Sequence, residues 1–332
     1  MKAAVIGAGT WGTAFALHLS RRRVSISLWV REKEVLAGLR RTRENRTFLP
    51  GFPIPRTVSF SSDAAATVSS ADILFIAVPS QFFRAVFRGI AGGLSPHQVV
   101  VSLTKGIEER SLKRMTEIMA EVMTGRRRPH FAVLSGPSFA REVAEKHPTA
   151  VVVAARSHDV ARQVQSLISD VNLRAYTSSD ITGVELAGAM KNVIAIAAGI
   201  SDALKYGHNS RAALVTRGIA EMTRLGVRLG ARKETFFGLA GIGDLVLTCT
   251  ARMSRNYHVG YELGKGRALA EIQAGVKTVA EGVATTVSVR DLAGQEAVEM
   301  PITEEVYRVL YDGKDPRDSI RDLMQRALKV ES

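Results

Sequence analysis

The chain has 332 residues, 46% of them hydrophobic and 23% charged, and its 45 basic against 32 acidic side chains leave a formal charge of +13. That length buries a sizeable core and favours two domains; no apolar run reaches bilayer length without a charge, so no membrane span is expected, and the start Met1-Lys2 lacks a signal-peptide pattern, which points to the cytoplasm. A single cysteine, Cys249, and seven histidines without ligand spacing argue against a disulfide framework and a metal site, while the positive charge suits nucleic acid, anionic membranes or phosphorylated ligands alike.

The first run, "AVIGAGTWGT" at 4 to 13, carries glycines at 7, 9 and 12 and leads into the helical pattern "TAFALHLSRR", with Ala14, Leu17 and Leu19 on apolar positions. In that strand-turn-helix setting Gly7 permits the tight turn, Gly9 lets the backbone approach a pyrophosphate, and Gly12 lets helix and strand pack closely. The helix N-terminus then faces the phosphates with free N–H groups and a positive dipole end, so the motif predicts a dinucleotide cradle. The second strand, "VSISLWV", alternates Val24, Ile26, Leu28 and Val30 and is followed by Arg31 and Glu32. Arg suits a 2′-phosphate and an acidic residue suits a free ribose, so Arg31 puts NADP ahead and Glu32 keeps NAD in play; the alternative is a solvated Arg–Glu pair.

Further strand-like runs at "DILFIAV", "VVVSLT", "FAVLSG", "AVVVAA" and "LRAYTS" alternate with helical stretches, the rhythm of a mostly parallel sheet covered by helices. Ligands of such sheets gather beyond the carboxyl ends of the strands, which singles out "AVPSQ", "SLTKGI" and "LSGPSFA". Lys105 places an ammonium at that edge or is merely solvated, Gly136 admits close backbone approach, and Ser138 adds a hydroxyl or caps a following helix "FAREVAEK".

Beyond residue 180 the segments are Ala-rich and helical, so the fold is read as an α/β doubly wound, Rossmann-like domain over 1–180 and an all-α domain over 181–332. Lys191 and Asn192 interrupt the apolar helix "VELAGAMKNVIAIAAG". A cation there is expensive unless paired, and burial tunes it toward proton transfer, the group that nicotinamide chemistry needs; the alternative is one wet stripe on the helix. Gly188 and Ala195, one turn either side, leave that face open to a ligand. Asp244, between a flexible Gly run and an apolar segment in "GLAGIGDLVLTCT", is placed as a carboxylate orienting a buried lysine. Ser254, Arg255 and Asn256 offer a hydroxyl, a forked guanidinium and an amide to a phosphate, or form a plain loop.

Taken in order, "GAGTWGTAFA", "LWVRE", "NRTFLPG", "AVPSQ", "TKGIE", "LSGPSFAREVA", "VELAGAMKNVIAIAAG", "GLAGIGDLVLTCT", "SRNYHVG" and "VAEGVATT" resemble the bacterial-type NAD(P)-dependent glycerol-3-phosphate dehydrogenases over nearly the whole chain. The resemblance implies reversible reduction of dihydroxyacetone phosphate to sn-glycerol 3-phosphate, supplying glycerophospholipid synthesis. It makes Lys191 the proton acceptor and donor, with Lys105, Gly136, Ser138, Asn192, Asp244, Thr248, Ser254, Arg255 and Asn256 around the substrate. It assigns Thr10, Trp11, Arg31, Lys105, Ala140, Arg255, Val279 and Glu281 to the cofactor, NADP or NAD, beside Gly7, Gly9 and Gly12. Phe48 stands where the family usually has Tyr, keeping the ring without its hydroxyl. The partner is then a small phosphorylated substrate rather than nucleic acid, with a homodimer left open. Two rivals are a β-hydroxyacid or 6-phosphogluconate dehydrogenase and a basic nucleic-acid-binding protein using "RRR" at 21–23 and 126–128 with Arg40, Arg41, Arg43 and Arg46.

Overall fold

The structure, a computed structural model, describes residues 1–22, 24–125, 128–274, 279–328 and 330. Its contacts separate two units, residues 1–106 with 113–185 and residues 107–112 with 186–332.

Apolar, β-branched runs build the first unit. Strands β1 (Lys2–Ile6), β2 (Ser25–Trp29), β3 (Val58–Ser61), β4 (Ile73–Ile76), β5 (Val99–Ser102), β6 (His130–Ser135), β7 (Thr149–Ala155) and β8 (Leu173–Ser178) form one sheet in the order β3-β2-β1-β4-β5-β6-β7-β8. Every neighbouring pair is parallel except β6 with β7. All residues of β4 and β5 are buried, as continuous Ile/Val/Leu/Phe runs in a sheet covered on both faces should be. Alternate residues serve opposite layers: Phe75 and Val101 pack in one cluster, Leu74, Ile76 and Val100 in the other. The covering helices are α1 (Thr10–Leu19), α2 (Lys33–Thr42), α3 (Ala64–Ser69), α4 (Ser80–Ala91), α5 (Met115–Val122), α6 (Ala140–Ala144) and α7 (His158–Ile168). β3, four residues of half-polar "VSFS" downstream of Pro53 and Pro55, is the one described strand that the sequence pattern did not mark.

The second unit is helical: α8 (Ile181–Ala203), α9 (Gly207–Arg228), α10 (Lys233–Phe236), α11 (Asp244–Thr250), α12 (Arg255–Gly264), α13 (Leu269–Ala274), α14 (Glu281–Gln295), α15 (Pro301–Tyr311) and α16 (Pro316–Met324), with a π-helical turn at Leu239–Gly243. α8 begins in the first unit, where Glu185 is buried and accepts from Thr116 N (2.8 Å), Thr116 Oγ1 (2.6 Å) and an Arg114 guanidinium nitrogen (2.9 Å). Its remaining length forms the axis of the helical core. Length and composition alone would let α8 cross a bilayer, yet 94% of its most apolar window is buried inside the protein. A helix apolar on all faces is the expected centre of such a core. α12 crosses α8 backbone to backbone: a Cβ at Gly260 would lie 1.9 Å from the Ile196 carbonyl oxygen.

Candidate active site

The sheet order reverses between β1 and β4, and the loop after β1 lies at that switch point. Gly7 takes φ +110°, and a Cβ there would sit 2.6 Å from the Ala77 oxygen in the loop after β4. A Cβ at Gly12 would lie 1.9 Å from the Gly7 oxygen, so the first turn of α1 packs directly on the loop. At Gly9 a Cβ would meet nothing within 4 Å, and no side chain caps the α1 N-terminus. The Trp11 indole Nε1 is buried without a hydrogen-bond partner in the protein. Two tight glycines, one open one, uncapped N–H groups and an orphan indole donor fit a dinucleotide pyrophosphate.

A residue that sequence reasoning missed holds this cradle. Asn45, 1% exposed, donates from Nδ2 to the Ala8 oxygen and to Thr13 Oγ1, both at 2.8 Å, and its Oδ1 accepts from Phe48 N at 3.1 Å. Its only signal was the "NRTFLPG" run that contributed Phe48. Phe48 itself packs against the sheet core. After β2, Arg31 and Glu32 bond each other at 2.8 and 3.1 Å, and the Arg31 guanidinium lies 5.8 Å from the Phe82 ring centre.

At the ends of β5 and β6, Lys105 Nζ donates to the Gly136 oxygen at 2.9 Å, and Ser138 Oγ donates to the same oxygen at 2.9 Å. Gly136 has φ +127°, with a Cβ position 3.0 Å from Val151 Cα, so its backbone turns where a side chain would not fit. Ser138 does not cap a helix: α6 is five residues long and starts at Ala140 behind Phe139, and the Ser138 hydroxyl turns to the Gly136 oxygen instead.

In the helical unit Lys191 is 5% exposed, which overturns the wet-stripe alternative. Its Nζ donates to Thr248 Oγ1 at 2.7 Å and lies 3.1 Å from Asp244 Oδ1, and Asp244 is 2% exposed. Thr248 Oγ1 in turn bonds the Asp244 backbone oxygen at 2.6 Å, one turn earlier on α11. A buried cation in an apolar helix is tolerable only with such partners. The Gly run before Asp244 is the π-helical turn, a rare geometry that recurs at functional sites, rather than a flexible loop. Cys249, next on α11, has its thiol pushed up to about 12 by burial, with Lys191 opposing and Asp244 adding to the rise.

Ser254, Arg255 and Asn256 are likewise no loop. Ser254 is the N-cap of α12, its Oγ accepting from Tyr257 N at 3.2 Å, and Arg255 and Asn256 occupy the first turn. Arg255 remains exposed, yet desolvation by its surroundings lowers its pKa, opposed by nearby Glu281. Asn256 and Asn192 are bonded through their side-chain amides at 2.9 Å. Glu281 opens α14 behind Ala280, and Val279 just before them is 43% exposed. Lys105, Gly136, Ser138, Ala140 and the cradle thus belong to the first unit; Lys191, Asn192, Asp244, Thr248, Ser254, Arg255, Asn256, Val279 and Glu281 belong to the second. Among the described residues no group of three or more His, Cys, Asp or Glu side chains is arranged to hold a metal ion.

The basic clusters have structural work where they are described. Arg21 donates to the Val143 and Ala144 oxygens, Arg22 to those of Leu167 and Ser166, and Arg43 to those of Ile54, Pro55 and Val58 while stacking on Phe60. Arg46 pairs with Glu44 at 3.1 Å, and Arg40 and Arg41 are exposed. Arg23, Arg126 and Arg127 lie outside the described residues.

Models of the NAD-dependent glycerol-3-phosphate dehydrogenase N-terminus and C-terminus match residues 2–161 and 180–321. The chain is 50% identical to glycerol-3-phosphate dehydrogenase NAD(P)+ of Syntrophotalea carbinolica, over 100% of this chain and 99% of that one. It is 51% identical to the protein of the same name from Koribacter versatilis, over 99% and 98%. The crystal structure of glycerol-3-phosphate dehydrogenase from Coxiella burnetii superimposes with a TM-score of 0.94 at 38% identity, covering 98% of this chain and 99% of that one.

Proposed function

The chain belongs to the NAD-dependent glycerol-3-phosphate dehydrogenase family, and from that premise we propose how its own residues divide the reaction. The reaction is reversible hydride transfer between NAD(P)H and dihydroxyacetone phosphate, giving sn-glycerol 3-phosphate. The cradle of Gly7, Gly9, Thr10, Trp11 and Gly12 would hold the cofactor, whose nicotinamide supplies the hydride for reduction and takes it back in reverse.

The observation that carries the assignment is Lys191, buried and bonded to both Thr248 and Asp244. These contacts fix the direction of the ammonium group. Lys191 gives a proton to the substrate's C2 oxygen during reduction and removes it from the hydroxyl in the reverse direction. Asp244 keeps the buried ammonium compensated, and Thr248 links the two through its hydroxyl. Arg255, Ser254 and Asn256 at the N-terminus of α12 take the phosphate, where the guanidinium fork and helix dipole both favour an anion. Lys105, Gly136 and Ser138 contribute further substrate contacts from the first unit, and Arg31, Phe48, Lys105, Ala140, Arg255, Val279 and Glu281 further cofactor contacts. The product makes the chain a supplier of glycerophospholipid synthesis, which we place in the cytoplasm.

The test is the absorbance of reduced nicotinamide as purified protein meets dihydroxyacetone phosphate, with NADPH and NADH run side by side. Phosphate-dependent oxidation is expected, faster with NADPH. In Arg31→Ala the NADPH advantage should fall about tenfold, as the loss of one charge-assisted contact to a 2′-phosphate implies. Oxidation with neither cofactor would refute the reaction, and an unchanged ratio would refute the role of Arg31.

A further inference from the structure

Helix α14 starts behind Ala280, whose side chain offers no oxygen to cap it. The N–H of Gly282 donates instead across the fold to Asn256 Oδ1 on α12, at 2.8 Å. Since an N–H can only donate, this bond fixes the Asn256 amide with Oδ1 toward α14 and Nδ2 toward α8, where it donates to Asn192 Oδ1 at 2.9 Å. Asn256 and Asn192 are 8% and 4% exposed, so both bonds lie inside the protein. The junction has no room for a side chain on α14: a Cβ at Gly282 would fall 2.7 Å from the Asn192 backbone oxygen and 2.8 Å from Asn256 Oδ1. Each member directly follows a residue of the proposed site, Asn192 after Lys191, Asn256 after Arg255 and Gly282 after Glu281.

We propose that Asn256, besides its place at the substrate phosphate, has a positioning role: it caps α14 from α12, ties both helices to α8, and so holds the cofactor-side start of α14 in register with the proton-transferring lysine, with Gly282 as the position that permits the junction. This rests on the reading of Glu281 and Arg255 as cofactor contacts. A residue that touches only substrate would behave differently, because its loss would leave cofactor affinity alone. Loss of the junction loosens the first turn of α14 whether or not substrate is present.

The experiment titrates NADPH, without substrate, against the full chain by quenching of tryptophan fluorescence, for wild type, Asn256→Ala, Gly282→Ala and the double variant, with turnover measured in parallel. Asn256→Ala should weaken NADPH binding about tenfold, the scale set by loss of a helix cap, and lower kcat as well as raise KM for dihydroxyacetone phosphate. Gly282→Ala should do the same, and the double variant should be no more than about threefold worse than the weaker single one, since both break one junction. If Gly282→Ala does not fold by circular dichroism, Asn192→Ala takes its place in the cycle with the same expectation of non-additivity. The proposal is overturned if Asn256→Ala leaves the NADPH Kd within twofold of wild type and changes only KM for dihydroxyacetone phosphate, or if the two single effects multiply. A wild type that binds NADPH but does not oxidise it with dihydroxyacetone phosphate would refute the reaction and leave the binding cycle to judge the junction. A wild type that binds no NADPH overturns both.

Discussion

The two units build their candidate sites from different material. In the sheet unit the cradle is backbone: Gly7 and Gly12 clear space, the α1 N-terminus presents N–H groups, and Asn45 holds the loop by its Ala8 carbonyl. In the helical unit the candidate site is side chains drawn from separate helices, Lys191 from α8, Asp244 and Thr248 from α11, Arg255 and Asn256 from α12. A backbone site needs shape and tolerates modest charge, whereas a side-chain site must bury ionisable groups and compensate each one. The first should therefore fail through added bulk, the second through a lost or retitrated charge.

The largest effect is expected at Lys191. Lys191→Ala should cut turnover about a thousandfold, within the range for removing a general acid and base, while NADPH binding stays within about threefold. Turnover near the wild-type rate would show that the buried ion pair is structural only. Next comes bulk in the cradle. Gly12→Ala, whose Cβ must share space with the Gly7 oxygen, should lower the unfolding free energy by about 3 kcal/mol, read as a fall in the urea midpoint. A midpoint unchanged from wild type would mean that the helix and loop adjust freely.

A third prediction uses a buried charge away from the reaction. Burial lifts Glu221 on α9 to about 7, although the Ile302 and Thr303 N–H groups at the start of α15 pull the other way. A carboxyl whose folded pKa is raised binds its proton more tightly when folded, so the stability it contributes is present at low pH and lost as pH rises through 7. Between pH 5 and 8 the unfolding free energy should fall by about 2 kcal/mol through this group, and Glu221→Gln should flatten that slope. An identical slope in the variant would remove Glu221 from the account. The smallest effect isolates ligand from fold: Gly9→Ala meets nothing within 4 Å, so the melting temperature should hold while NADPH affinity drops about tenfold through contact with the pyrophosphate. Unchanged affinity would place the phosphates elsewhere.

The same difference explains what could be read in advance. Glycines at 7, 9 and 12 are adjacent in the chain because a tight turn and one helical turn are local events, so the cradle was legible as a spacing. The apolar runs of β1, β2 and β4 to β8 and the unbroken helical pattern of α8 were legible for the same reason: periodicity acts over a few residues. β3 escaped because four residues, two of them serine, carry too little pattern. Asn45 escaped because its partners Ala8 and Thr13 are more than thirty residues away.

By itself the sequence determined the sheet-then-helix order, the cradle and the presence of a lysine too apolar in its surroundings to stand alone. It left open whether Lys191 lay on a wet stripe, whether Ser138 capped a helix and whether Ser254-Arg255-Asn256 was a loop. The last two were decided by local bonds the pattern does not specify, Ser138 to Gly136 and Tyr257 to Ser254, but only the tertiary structure decided Lys191, because its burial and pairing depend on what α11, α12 and α14 bring to α8, and the contacts there join residues 26 to 64 positions apart. Local periodicity carries no information about which of several polar residues will meet at that distance; the packing of one helix on another does.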